Sequence, residues 1–308
     1  MKKMAALLLT ALIAFSMTGC GDSSNSDTQA DDTAGKGTAS DQEEGDTKNT
    51  DSDEQAQDDP ASGADGTETL KVAMELAYPP FETRDDAGNP AGVSVDLMKA
   101  FGEYAGYEIQ IENTAWDGLI PALQTGAADL VISSMTITDE RKELIDFSDP
   151  YANALLAVLA NEDSEIASID DLNQKGKVVA VKSGSTGHMY AEKNLTEAEV
   201  MAMPDESACV MEVSQGRADG FIYDQLTIYR NWQLNPDTTA AVFIPFQEPE
   251  KWGIAVRKGN QELLDQLNAF LAEYKENGGY DQLTEKHLAE EKKAFDELEF
   301  QWFFDMDE

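Results

Sequence analysis

The chain has 308 residues, more than one ordinary hydrophobic core holds, so two folded units are expected. Lys and Arg number 22 against 60 Asp and Glu, and a formal net charge of -38 excludes a phosphate-tracking role, which needs a basic face. Two cysteines and two histidines are too few for a zinc cluster or a disulfide framework, so no metal and no cofactor is expected.

Lys2 and Lys3 precede an apolar run from Ala5 to Met17, broken only by Thr10 and Ser16. A basic start, a short apolar stretch and small residues after it read as an export signal over residues 1–19; the run falls short of the roughly 18 apolar residues of a membrane span. Met17-Thr18-Gly19-Cys20 resembles a bacterial lipobox, which implies cleavage after Gly19 and a lipid on Cys20. That would leave Cys209 alone, with no intrachain disulfide to form, and Cys209 then reads as a small core residue of an apolar helix. From Gly21 to Glu68 there are 15 acids, 2 lysines, no aromatic residue and no Val, Ile or Leu. Such a segment cannot bury enough apolar surface to offset its ordering entropy, so residues 20–68 read as a lipidated cysteine followed by a disordered acidic linker. As a flexible coil its 48 residues would span roughly 40 Å, and like charges would stretch it further. Residues 69–308 keep a net charge of -27, read here as solubility and repulsion from anionic surfaces.

The remainder alternates strand and helix. Leu70–Met74 reads as a strand ending at the turn Tyr78-Pro79-Pro80-Phe81. Val93, Leu97, Ala100, Phe101 and Tyr104 fall on one face of a helix. Ile109–Ile111 reads as a strand, Trp116–Thr125 as a helix and Asp129–Ile132 as a buried strand, a pattern that points to a parallel sheet with helices on both faces. The pattern then restarts: strands at Ala154–Leu159, Lys177–Val181, Val200 and Asp219–Tyr223, with helices at Ile169–Leu172, Gly184–Asn194 and Ser207–Gln215 between them. After the apolar run Trp252–Val256, Leu263, Leu264, Leu267, Phe270, Leu271 and Tyr274 stripe a long helix that stops at Asn277-Gly278-Gly279. This last helix is assigned to the first unit, which makes that unit discontinuous.

Three stretches, taken together, resemble the amino-acid-binding members of bacterial extracellular solute-binding protein family 3. They are Val72–Glu82; Trp116–Leu123 continuing through Ser134-Met135-Thr136-Ile137-Thr138-Asp139-Glu140-Arg141 to Phe147–Tyr151; and Val181–Gly187 followed by Gly216–Gly220 and Tyr223-Asp224. The resemblance covers roughly 69–290 and implies an α/β, two-lobed periplasmic-binding-protein fold of type II. Each lobe would be a sheet flanked by helices, joined by two crossing strands near Ala154–Leu159 and Gln247–Ile254. Residues 69–155 and 251–308 would form lobe 1, and residues 156–250 lobe 2. The implied function is capture of a free amino acid outside the cytoplasm by a membrane-anchored lipoprotein, a monomer, which delivers it to an ABC permease. A cyclohexadienyl-type dehydratase with Glu75 as general acid, or a ligand-presenting sensor, are the alternatives left open.

A guanidinium offers a planar fork that matches a carboxylate, and the resemblance puts the ligand's α-carboxylate on Arg141. It implies head-group contacts from Ser134 and Thr136. Thr186, at a glycine-flanked strand-to-helix turn, would complete the carboxylate clamp. Asp224 would hold the α-ammonium, a turn cap being the other reading. Glu75, Tyr78 and Trp116 would face the ligand side chain, with Lys182 opposite Glu75 across the cleft. One acid facing one base suits an amide, so glutamine is favoured and arginine or lysine comes next. His188 and His287 lack companions at ligand spacing. Most of Phe295, Leu298, Phe300, Trp302, Phe303 and Phe304 are expected to pack back onto the first lobe, an exposed cluster for a membrane partner being the other reading.

Overall fold

The computed structural model describes residues 67–306; the leader, Cys20 and the acidic linker lie outside the described residues. Two five-stranded sheets, each flanked by helices, make the two lobes expected from the sequence. In the first lobe Thr69–Met74 lies between Glu108–Asn113 and Leu130–Val131, parallel to both, with Leu70 opposite Ile109 and Val72 opposite Leu130. The sheet is not wholly parallel. Ala255–Arg257 runs antiparallel between Leu130–Val131 and Ile145–Phe147. The reason is topological: parallel neighbours need a long crossover, whereas this strand re-enters the lobe directly from the hinge and so arrives in the opposite direction.

The second sheet repeats the plan. Val178–Lys182 is parallel to Glu199–Met203 and Gly220–Asp224, while Leu156–Asn161, the strand entering from the first lobe, is antiparallel to Gly220–Asp224. Thr239–Val242 closes the far edge antiparallel to Leu156–Asn161. It and the helix Gln225–Leu234 were not legible in the sequence. Between the lobes Ala152–Ala154 and Glu250–Trp252 form a two-stranded antiparallel ladder with Asn153 opposite Lys251. These are the crossing strands, the first beginning two residues earlier than the sequence placed it.

The helix Val93–Ala105 buries Val93, Val95, Leu97, Met98 and Phe101 against the first sheet. Tyr104, counted on that face from its spacing, is 45% exposed, because the buried face turns toward Val95 and Met98 instead. Asn277 ends the long helix Gln261–Glu276, and Gly278 takes the left-handed conformation (φ 71°) that a side chain would resist. Two helices follow, Gly279–His287 and Ala289–Glu297. Phe295, Trp302 and Phe303 are buried in the same core as Phe81 and Trp252, as the sequence anticipated. Phe300 reaches further, to Phe243 of the second lobe, with ring centroids 4.7 Å apart. Cys209 is buried, and burial pushes its thiol up to about 12, which leaves it unreactive.

Candidate functional site

The two lobes close on a narrow cleft of about 40 Å³, room for a few water molecules, lined by residues of both lobes. Its first-lobe wall is built on the loop Ile132–Thr138 and the helix Asp139–Leu144. Thr138 caps that helix by accepting from the Arg141 backbone N–H at 3.2 Å. Capping fixes Arg141 in the first turn with its side chain turned inward, and the residue is only 5% exposed. Its guanidinium donates to the Thr136 carbonyl at 2.7 Å and, across the cleft, to the Gly184 carbonyl at 3.1 Å. It also lies 5.3 Å from the centroid of the Trp116 ring. Burial lowers its pKa to about 10, so it stays charged at neutral pH.

The second-lobe wall comes from the ends of two strands. After Val178–Lys182 the chain turns through Gly184, and Ser185, not Thr186, caps the helix Thr186–Asn194, accepting from His188 N–H at 3.2 Å. Gly187 allows this helix to sit on the neighbouring strand, since a Cβ there would lie 2.4 Å from the Ile222 carbonyl oxygen. Asp224 ends the strand Gly220–Asp224 and caps the following helix, accepting from Leu226 and Thr227 N–H at 3.0 and 3.1 Å. Asp224 is therefore a cap, and it also lines the cleft. Burial raises its carboxyl above the ordinary value.

Glu75, Tyr78, Trp116, Ser134, Thr136, Arg141, Thr186 and Asp224 all line this one cleft. Lys182 meets Glu75 in an ion pair, as their placement across the cleft implied, but its ammonium also reaches Glu206 at 3.4 Å and its side chain is 2% exposed. The second carboxylate was invisible in the sequence, where Glu206 is one more acid at a helix start. Burial pushes Glu206 up to about 7. Sequence reasoning also passed over Ser133, Leu156, Ser185, Tyr223, Glu250 and Trp252, which complete the lining. Glu250 sits within the hinge segment already singled out, yet an acid in an acidic chain carries no signal of its own. Its Oε2 accepts from the Thr136 hydroxyl at 2.8 Å and the Thr186 hydroxyl at 2.9 Å, and burial raises its pKa. His188 Nδ1 accepts from Gly184 N–H, and His287 bonds to Asp96; among the described residues no three potential metal ligands cluster.

Ser134 does not offer a free hydroxyl. It adopts φ 47°, and its Oγ lies 3.0 and 3.1 Å from the two carboxyl oxygens of Glu82, which also bonds to Ser94. Glu82 is fully buried beneath the binding loop, and burial lifts its carboxyl from the ordinary 4.5 to about 8. The folded protein therefore binds a proton here that the unfolded chain has lost, and stability falls as pH rises from 4.5 to about 8. Glu82→Gln should remove that slope, worth about 3–4 kcal/mol between pH 5 and pH 8, in urea unfolding at those two pH values. Equal slopes in the two proteins would show that Glu82 does not change protonation there.

Two lobes, two crossing strands and a cleft lined by buried charges from both sides define a two-lobed solute-binding protein. The chain belongs to the bacterial extracellular solute-binding proteins, family 3, whose pattern matches residues 70–290. It is 35% identical over 240 residues to a probable histidine-binding protein of Neisseria gonorrhoeae, covering 77% of this chain and 89% of that one. It is 33% identical over 297 residues to the arginine-binding extracellular protein ArtP of Bacillus subtilis, covering 95% of this chain and all of ArtP. Among solved structures it resembles the ancestral amino-acid-binding protein AncCDT-1, a precursor of cyclohexadienyl dehydratase, at 38% identity and a TM-score of 0.65, over 71% of this chain and 94% of that one. An extracytoplasmic location follows from the family. Among the described residues no helix is long and apolar enough to cross a membrane.

Proposed function

We propose that this protein captures a free amino acid with a polar side chain and delivers it to an ABC permease. The observation that carries the reading is one buried guanidinium and one buried carboxylate, Arg141 and Asp224, facing one cleft from opposite lobes. The α-carboxylate pairs with Arg141 and the α-ammonium with Asp224. Closure excludes water and strengthens both contacts. Micromolar affinity needs about -8 kcal/mol, within reach of two charge-assisted contacts plus aromatic packing after ordering costs.

The side chain then lies toward Glu75, Tyr78 and Trp116. Favouring glutamine rested on Lys182 as the cation facing the tail. Two carboxylates, Glu75 and Glu206, share that one ammonium; Glu206, pushed up to about 7, is only partly charged at neutral pH, but Lys182 is offset by its partners and adds no net positive charge at this end. That cancelled cation, the partial charge of Glu206 and the Trp116 ring favour a basic tail, arginine or lysine. Glutamine is the second reading, supported by the Glu75–Lys182 pair as a donor and acceptor for an amide. A dehydratase is disfavoured: the Glu75 carboxyl is taken up by donors of the protein, Lys182 and the Trp116 backbone N–H at 3.3 Å, rather than left to a substrate. The lipid on Cys20, the acidic linker and a monomeric state complete the proposal, a tethered carrier that reaches its permease from the membrane surface.

A thermal-shift screen against the twenty amino acids tests it. A ligand at 100 times its Kd should raise the midpoint by roughly 5–10 °C. Glu75→Gln should abolish most of the shift for arginine and little of that for glutamine. Equal losses would remove the argument for a basic tail, and no shift with any amino acid would refute the function.

A further inference from the structure

The head-group end of the cleft already contains a carboxylate belonging to the protein. Glu250 opens the hinge strand Glu250–Trp252, which is knitted to the binding loop: Ile137 N–H donates to the Lys251 carbonyl at 2.8 Å and Gly253 N–H to the Met135 carbonyl at 3.1 Å. That ladder brings the Glu250 carboxylate against Thr136 of the first lobe and Thr186 of the second, both on Oε2, while Gln247 Nε2 holds Oε1 at 2.8 Å. An ionised carboxylate only accepts, so each threonine hydroxyl must spend its single proton on Glu250. What the two hydroxyls then present to the cleft is lone pairs. A ligand carboxylate cannot take a hydrogen bond from either threonine hydroxyl while Glu250 keeps both, and it would approach a like charge held in place at low dielectric. The raised pKa of Glu250 has the same origin, an anion kept out of water.

We infer that Glu250 is a specificity-determining residue that competes in cis with the ligand's α-carboxylate for Thr136 and Thr186. This rests on the amino-acid reading above and corrects one part of it. Arg141, which is not hydrogen-bonded to Glu250, is left as the principal carboxylate partner, and the two threonines join it only when Glu250 gives way. The arrangement lowers affinity for any α-carboxylate while leaving a decarboxylated amine untouched or favoured. It therefore narrows the margin by which amino acids are preferred over the corresponding amines.

The test is a ratio of affinities, measured by calorimetry with L-arginine against agmatine and with L-glutamine against 4-aminobutanamide. Glu250→Ala frees both hydroxyls and removes the charge, and the acid-to-amine affinity ratio should rise at least tenfold. Glu250→Gln keeps the acceptor and loses only the charge, so its ratio should rise by a smaller factor. Hinge damage would weaken both members of a pair alike and leave the ratio where it was. A ratio unchanged or lowered in both variants, with ligand still bound, overturns the role of Glu250 alone. Failure of the wild-type protein and both variants to bind either amino acid overturns the amino-acid reading and this inference with it.

Discussion

Arg141→Ala is expected to weaken amino-acid binding by about 2–5 kcal/mol, roughly 30-fold to several-thousand-fold, in isothermal titration calorimetry. The estimate is that for truncating one member of a buried charge pair, and three features of the site place it there. The guanidinium is 5% exposed, so its charge is poorly screened. It lies among the carboxylates Glu75, Asp224 and Glu250, which would repel an incoming α-carboxylate once the cation is gone. It also joins the lobes through Thr136 and Gly184, two carbonyls that the variant would leave without this donor. Arg141→Lys should recover only part of the loss, since a point charge cannot bond both carbonyls and a ligand carboxylate in one plane. Unfolding of the ligand-free variants separates a binding defect from a folding defect. Affinity within threefold of wild type for Arg141→Ala would place the α-carboxylate elsewhere.

What could be read from the chain divides along a physical line. Arg141, Trp116, Thr186 and Asp224 were legible because they lie in the ordered stretches that carry the family resemblance, where short runs of neighbouring residues mark them. Their convergence followed from the resemblance of three ordered stretches, and the structure brings them to one cleft. Glu206 and Glu250 were not legible, because what distinguishes them from dozens of other acids is a partner far along the chain: Lys182 for one, Thr136 and Thr186 for the other. Ser134 was legible as a loop residue, but its engagement by Glu82 depends on a buried carboxyl 52 residues away. The mixed sheets were missed for a similar reason. Local apolar runs mark strands, whereas strand direction depends on how the chain returns through the hinge. The helix Gln225–Leu234 was not assigned, although Asp224, which caps it, was also read as a turn cap.

Phe303→Ala is expected to cost about 3–5 kcal/mol of stability in urea-induced unfolding, among the largest losses a single substitution here can produce. The ring is fully buried, and its centroid lies 5.1 Å from that of Phe81, 5.5 Å from Trp252 and 5.3 Å from Phe295. Its backbone carbonyl accepts from Asn153 N–H at 2.7 Å, so the segment is pinned to the first hinge strand from outside. Phe81 follows the turn that carries Tyr78, and Trp252 ends the strand that begins with Glu250. A cavity at Phe303 therefore opens directly behind two walls of the cleft. Leu298, 39% exposed at the end of the last helix, is the control: Leu298→Ala should stay within about 0.5 kcal/mol. Similar, small losses for both would mean that the aromatic tail is dispensable to the first-lobe core and that Phe81 and Trp252 are supported without it. A large loss at Phe303 alone would make residues after 288 part of the machinery that holds the cleft, with the Phe300–Phe243 contact extending that support to the second lobe.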